Sequence, residues 1–316
     1  MENDEATAWC SKLEWRLMTS VALVVGQSRN IMKRLLEHVA RAGYRALMPK
    51  DAKNTLRLWL MLEEQDKPPL FVTEFSGGPV LVLAPHMDDE TIGCGGTIRK
   101  HVMAGTRVVV VYMTDGRKGD SSLGGQGLSS NDLETAQQSL VAQRKDEARR
   151  AAGILGIHET LFLDRPDGQL EADAKLAETL GRILSDLRPG VVYLPSVLDA
   201  HRDHWATNLV FDQVMRGSVA ADRWNLICRG YEVWTPLFPN RVVDVSDVFE
   251  VKIRALQQFE SQNRHTDYVH ITKGLNAYRS MFGLHGHGFV ESFFEGTVQQ
   301  HTALIKRLKD KKEAKR

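Results

Sequence analysis

Three cysteines in 316 residues, Cys10, Cys94 and Cys228, are too few and too widely spaced to staple a small secreted fold or to form a thiolate metal cluster. Their odd number suits a reducing compartment. No run of eighteen apolar residues occurs, which excludes a spanning helix of ordinary length. A charge excess is also missing: 41 Lys and Arg stand against 40 acids, and no basic stripe is interleaved with aromatics. No nucleic-acid partner is therefore expected. The first residues, Met1-Glu2-Asn3-Asp4-Glu5, are acidic where a signal peptide is basic, so a cytoplasmic location is expected. What is present is 42% apolar content, enough for a full core with room for an appendage.

Short apolar runs at 79–84, 107–113, 160–163 and 190–194 alternate with helical stretches near 91–103, 132–155, 170–187 and 204–216. Such alternation predicts βαβ crossovers, hence an α/β fold: a Rossmann-like three-layer sandwich with a mostly parallel sheet and helices on both faces. Leu176, Leu180, Ile183, Leu184 and Leu187 form the buried stripe expected of one of these helices. The expected organisation is an N-terminal helical extension over 1–75, a main domain over 76–300 and a basic tail over 301–316.

Chemistry concentrates just beyond two strands. Leu83-Ala84-Pro85-His86-Met87-Asp88-Asp89-Glu90 places one histidine and three acids at a strand end, where an open α/β sheet usually carries its site. Carboxylates held that close repel unless a cation or a proton is shared. His86 and Asp89, at i and i+3, could aim at one metal while Asp88 stays free to take a proton; an Asp-rich turn with helix caps is the plainer alternative. His201-Arg202-Asp203-His204 follows another strand, Val191–Leu194, and the loop 195–200. Two His and a carboxylate make an ordinary zinc set with a position left open, His204 being the natural third ligand, although either histidine could instead be a cap or a half-buried structural group. Gly93, Gly95 and Gly96 lie behind the acids and are not a dinucleotide fingerprint; they are expected to permit close helix–sheet packing.

The segment Ala84 to Glu90 with those glycines resembles the signature of the LmbE/PIG-L-like zinc-dependent deacetylases. Thr114-Asp115-Gly116, Arg165-Pro166-Asp167-Gly168, His201 to His204, and Lys252 through Ser261-Gln262 extend the resemblance from about residue 78 to 295. The resemblance implies removal of an N-acetyl group from an N-acetylglucosamine-type conjugate, whether glycolipid, glycoside or antibiotic intermediate, with release of acetate. It implies His86, Asp89 and His204 as ligands of Zn2+, with Fe2+ as an alternative metal, Asp88 as general base, and His201 as an aid at the oxyanion or the amine. Which of Asp88 and His201 is the acid stays open. Three positions depart from the family pattern: Met87 stands for proline, Phe259 for histidine and Asp199 for tyrosine. A noncatalytic carbohydrate-binding or membrane-scaffolding relative is the alternative function.

Asp115, Arg117, Asp167, Asp199 and His287 are candidate substrate contacts, with Arg117 equally readable as a solvated charge and His287 as a surface residue of a Gly-rich loop. The stretch Gly124 to Gly127 could cover the pocket. In the N-terminal segment, Ile31, Leu35, Val39 and Ala42 repeat at helical spacing among Arg and Lys, a pattern that could lie on an anionic membrane or simply pack on its own domain. Peripheral membrane contact and homo-oligomerisation are thus both open. The basic segment 306–316 is expected to be a solvated, frayed helix.

Overall fold

The computed structural model describes residues 68–120, 122–123, 129–217 and 225–313. The amphipathic pattern of the N-terminal segment and the glycines at 124–127 lie outside these residues. The strands are β1 (Leu70–Phe71), β2 (Val80–Ala84), β3 (Val108–Thr114), β4 (Glu159–Arg165), β5 (Val191–Pro195), β6 (Ile227–Tyr231), β7 (Arg241–Asp244) and β8 (Val290–Thr297). The helices are α1 (Asp89–Met103), α2 (Ser130–Leu155), α3 (Ala174–Leu187), α4 (Arg202–Gly217), α5 (Phe249–Leu256), α6 (Glu260–Asn263), α7 (Tyr268–Arg279), α8 (Met281–Leu284) and α9 (Val298–Glu313).

One eight-stranded sheet runs in the order β1-β7-β8-β6-β5-β2-β3-β4. Among the described residues, only β8 pairs antiparallel, with β6 and β7. The unbroken apolar runs of β2 and β3 follow from burial on both faces. Val80, Val82 and Ala84 face a layer containing α1, α2 and α5, while Leu81 and Leu83 face α3, α4 and α9. Each strand thus splits its side chains between two cores. β2 is flanked by β3 on one side and β5 on the other, in register Val80↔Val108 and Val80↔Val191. The chain leaves β2 in one direction and returns to its other side with β5, so a crevice opens beyond their C-terminal ends.

Gly93 confirms the close packing expected of the glycine cluster. A Cβ there would meet the Tyr231 ring at 2.2 Å, and the Tyr231 hydroxyl donates to the Leu83 carbonyl at 2.9 Å. Two expected boundaries fall inside packed structure. β1 pairs with β7, so the sheet begins ahead of residue 76. Residues 298–313 form a helix with Val298, His301 and Ile305 buried, so the segment from 301 onward starts as a packed element and not as a free tail. Its apolar positions find the α4 side of the sheet, where His301 meets the Phe211 ring edge-on at 5.5 Å. Among the described residues, no helix is long and apolar enough to cross a membrane.

Candidate metal centre

The turn after β2 and the loop after β5 meet in the crevice. His86 leaves the sheet end, Asp88 caps α1, and Asp89 opens that helix. Asp88 sits at φ 150, a backbone region that residues with a Cβ rarely occupy, and this strain marks the turn as special. Glu90 supports the turn: its Oε2 accepts from the Asp88 N–H at 3.2 Å and its Oε1 from the Thr91 hydroxyl at 2.6 Å. The support goes to the loop, and no imidazole is held by it. Met87 is buried, and its carbonyl accepts from Arg144 at 2.9 Å.

A single carboxylate oxygen gathers both histidines. Asp89 Oδ2 lies 3.0 Å from His86 Nδ1 and 3.2 Å from His204 Nε2. Two ligands of one tetrahedral zinc, each at 2.0–2.1 Å, stand roughly 3.3 Å apart, so these spacings fit a shared cation. His204 is fully buried and makes no well-directed hydrogen bond through either ring nitrogen, although Asp199 Oδ1 lies 3.2 Å from Nδ1. A buried imidazole in that condition is short of a partner that a metal would supply. The sets whose ligand atoms all converge on one another among the described residues are His86 with His201 and His204, and His86 with Asp167 and Asp203. Three of their members, Asp203, Asp167 and His201, also take backbone hydrogen bonds. Asp203 accepts from the N–H groups of Gly168 and Leu170 at 2.6 and 3.1 Å, Asp167 accepts from Lys118 N–H at 3.0 Å, and His201 Nδ1 accepts from Asp203 N–H at 3.2 Å. Asp167 and Asp203 each stand 3.3 Å from His86 Nε2, while Nδ1 faces Asp89 at 3.0 Å.

Electrostatics divides the cluster. Burial opposes the charged form of Asp89, but His204 and His86 outweigh it and hold its carboxyl well below the usual range. Burial likewise works against the His86 and His204 cations; Asp89 and its fellow carboxylates win, raising His86 well above its ordinary value and His204 to about 9. Asp88 is pushed the other way, up to about 7, by burial first, with Asp89 adding and Arg144 opposing. His201 is lowered, by burial and then by the neighbouring imidazoles. Its ring stands 4.6 Å from His86 and 5.1 Å from His204.

The cleft, about 200 Å³, is bounded by His86, Asp88, Asp89, Asp167 and His201, by Lys118 and Gln262, and by groups that the sequence did not single out, among them Arg144, Trp234 and Tyr268. Arg144 reaches from α2, donating to Gly116 O at 3.1 Å and standing 3.5 Å from Asp88 Oδ1. One turn on, Glu147 accepts from the Ser261 N–H and hydroxyl at 2.9 and 2.6 Å. The signal for both was a charged pair inside the apolar stripe of α2. Of the candidate substrate contacts, Asp115 is buried and paired with Arg117 Nε at 2.7 Å, which also ties that arginine down. Asp199 binds inward: Oδ1 faces His204 and accepts from His201 N–H at 3.1 Å, and Oδ2 accepts from Trp234 N–H at 3.0 Å. His287 is exposed and does not line the cleft. Phe259 is fully buried in the core, so no imidazole stands in its place.

An open α/β sheet with a candidate His/Asp ligand set at its switch point and a further carboxylate beside it is the arrangement a metal-dependent hydrolase requires. Residues 81–215 match the family model described as PIG-L, GlcNAc-PI de-N-acetylase. The diacetylchitobiose deacetylase of Thermococcus kodakarensis is 31% identical over 195 residues, 58% of this chain and 69% of the relative. A 1D-myo-inositol 2-acetamido-2-deoxy-alpha-D-glucopyranoside deacetylase of Mycobacterium sp. (strain KMS) is 28% identical over 229 residues, 58% of this chain and 73% of the relative. Among solved structures, the N,N'-diacetylchitobiose deacetylase of Pyrococcus horikoshii superposes with a TM-score of 0.59 at 26% identity, over 70% of this chain and 85% of the other. The chain belongs to the PIG-L/LmbE family of deacetylases.

Proposed function

We propose that this protein is a metal-dependent N-deacetylase that removes the acetyl group from an N-acetylglucosamine-type conjugate. The observation that carries the reading is the approach of His86 and His204 to one Asp89 oxygen, with the Asp88 carboxyl lining the same cleft. The relatives named above, which act on N-acetylated sugars, support the substrate class. His86, Asp89 and His204 would hold the ion, Zn2+ by preference for mixed nitrogen and oxygen donors, with Fe2+ accommodated by the same set. A divalent cation bound there polarises the amide carbonyl and acidifies water.

The chain's own groups do the rest. Asp88 takes a proton from water as oxygen adds to the carbonyl carbon, and gives that proton to the nitrogen as the C–N bond breaks, leaving acetate and a free amine. His201, whose Nδ1 is an acceptor, carries its hydrogen on Nε2 and serves as a neutral donor to the developing oxyanion. Asp199 orients His204, and Asp167 with Asp203 orients His86. Tyr268 and Trp234, edge-on at 6.3 Å, flank the mouth where the rest of the conjugate would lie. A binder without catalysis would have no use for a spare base beside an open ligand set. The cytoplasmic and membrane-contact expectations rest on the sequence.

The test is acetate release from a panel of N-acetylglucosamine conjugates by metal-stripped protein with and without added Zn2+. Release that depends on the ion is expected; protein that neither carries nor takes up a divalent metal sinks the proposal.

A further inference from the structure

Helix α1 breaks one turn beyond Asp89, where Cys94 adopts φ −147 and ψ 22. In an unbroken helix the Gly96 N–H bonds the Ile92 carbonyl and the Thr97 N–H bonds that of Gly93. At the break, side chains from distant elements take up these groups. Lys252 of α5 donates from Nζ to the Ile92 carbonyl at 2.8 Å. Glu291 of β8 accepts from Gly96 N–H through Oε1 and from Thr97 N–H through Oε2, both at 2.8 Å. The ammonium and the carboxylate are themselves paired at 2.7 Å, and the third Lys252 proton goes to Asn276 Oδ1 of α7 at 2.8 Å. Both charged side chains are fully buried. The missing side chains of two glycines make room: a Cβ on Gly95 would meet Lys252 Cγ at 3.2 Å, and one on Gly96 would meet Glu291 Oε1 at 3.2 Å.

We infer that Lys252 and Glu291 are positioning residues for the metal centre, an ion pair spliced into α1 that fixes the angle at which its first turn presents Asp88 and Asp89. The connection is short. The Ile92 peptide that receives Lys252 at its carbonyl donates through its N–H to the Asp88 carbonyl at 2.9 Å, so the pair is one residue's backbone away from the turn. A buried ion pair is a poor stabiliser compared with apolar side chains of equal volume, so its presence at a helix break points to geometry. The inference rests on Asp89 being a metal ligand.

The experiment uses the full chain loaded with Co2+, whose visible absorption reports ligand geometry without substrate. In the double variant Lys252→Met/Glu291→Gln no buried charge is left unpaired. A folded double variant is expected to bind Co2+ about tenfold more weakly or worse, with an altered visible spectrum. A wild-type spectrum and affinity in that variant would overturn the inference, since a merely structural pair moves the thermal midpoint alone. If the double variant does not fold, Gly95→Ala replaces it: its Cβ displaces Lys252 without removing charge, and a shifted spectrum supports the inference while an unshifted one defeats it. Wild-type protein that binds no Co2+ would remove the metal centre itself, and the inference with it, which is a separate result from an unaltered variant.

Discussion

Helix α1 separates two buried clusters of charge that are satisfied very differently. In front of it, two imidazoles approach one Asp89 oxygen at 3.0 and 3.2 Å, yet neither nitrogen of His204 has a well-directed bond. Behind it, Lys252 spends all three protons at 2.7–2.8 Å on acceptors that fit. Burial makes both arrangements expensive, and only the second is complete without a ligand. The difference teaches how to tell a site from a strut: incomplete satisfaction of buried polar groups marks where something else binds.

Removing the front cluster should have the largest effect. Asp89→Ala is expected to abolish metal retention and acetate release together, measured by metal analysis of the purified protein and by turnover. Asp88→Asn breaks the site more selectively, with metal content kept and kcat falling by roughly 10²–10⁴, the usual worth of a general acid–base group. The framework side is probed by Gly93→Ala, which drives a methyl into the Tyr231 ring and should cost about 1–3 kcal/mol in urea unfolding.

The smallest effect sharpens the comparison with a third buried group. His204 and His301 are both buried, but His204 faces Asp89 and Asp199 and its pKa rises to about 9, whereas burial dominates at His301, with Asp212 opposing weakly, and lowers it to about 4. For His301 the unfolded chain takes up a proton first as pH falls, so its contribution is complete above about 6.5 and is lost between about 6.5 and 4. At pH 5.5 the loss should be on the order of 1 kcal/mol. His301→Leu should flatten that part of the stability profile, read as urea midpoints at pH 7 and 5.5.

Strands β2 to β5 and the helices between them were legible because each has one clear period. The later strands were not. Ile227-Cys228-Arg229-Gly230-Tyr231 and Val290 to Thr297 carry charges inside the sheet, and these make sense only with their partners: Arg229 bonds Tyr193 and Glu295, and Glu291 bonds Lys252. A sequence window sees the charge and not the partner. The same limit applies at the cleft. Residues on the turns after β2 and β5 announce themselves by type and spacing, while Arg144 and Tyr268 enter from helices whose facing is decided by packing. Asp199 was legible as a site residue, but its inward role needed the backbone geometry of the 233–235 loop.

The pairing of β2 with β5, Val80 against Val191, has a consequence for how the molecule comes to exist. His86 and Asp89 follow β2 and His204 follows β5, so the proposed ligand set is assembled only when that long-range ladder closes, after β3, β4 and the helices between have been threaded. Until then the chain offers a cation two half-sites. Ion binding at the proposed set would therefore reward the closed ladder and little else, and a metal added during refolding should stabilise the finished sheet without hastening the local helices that precede it.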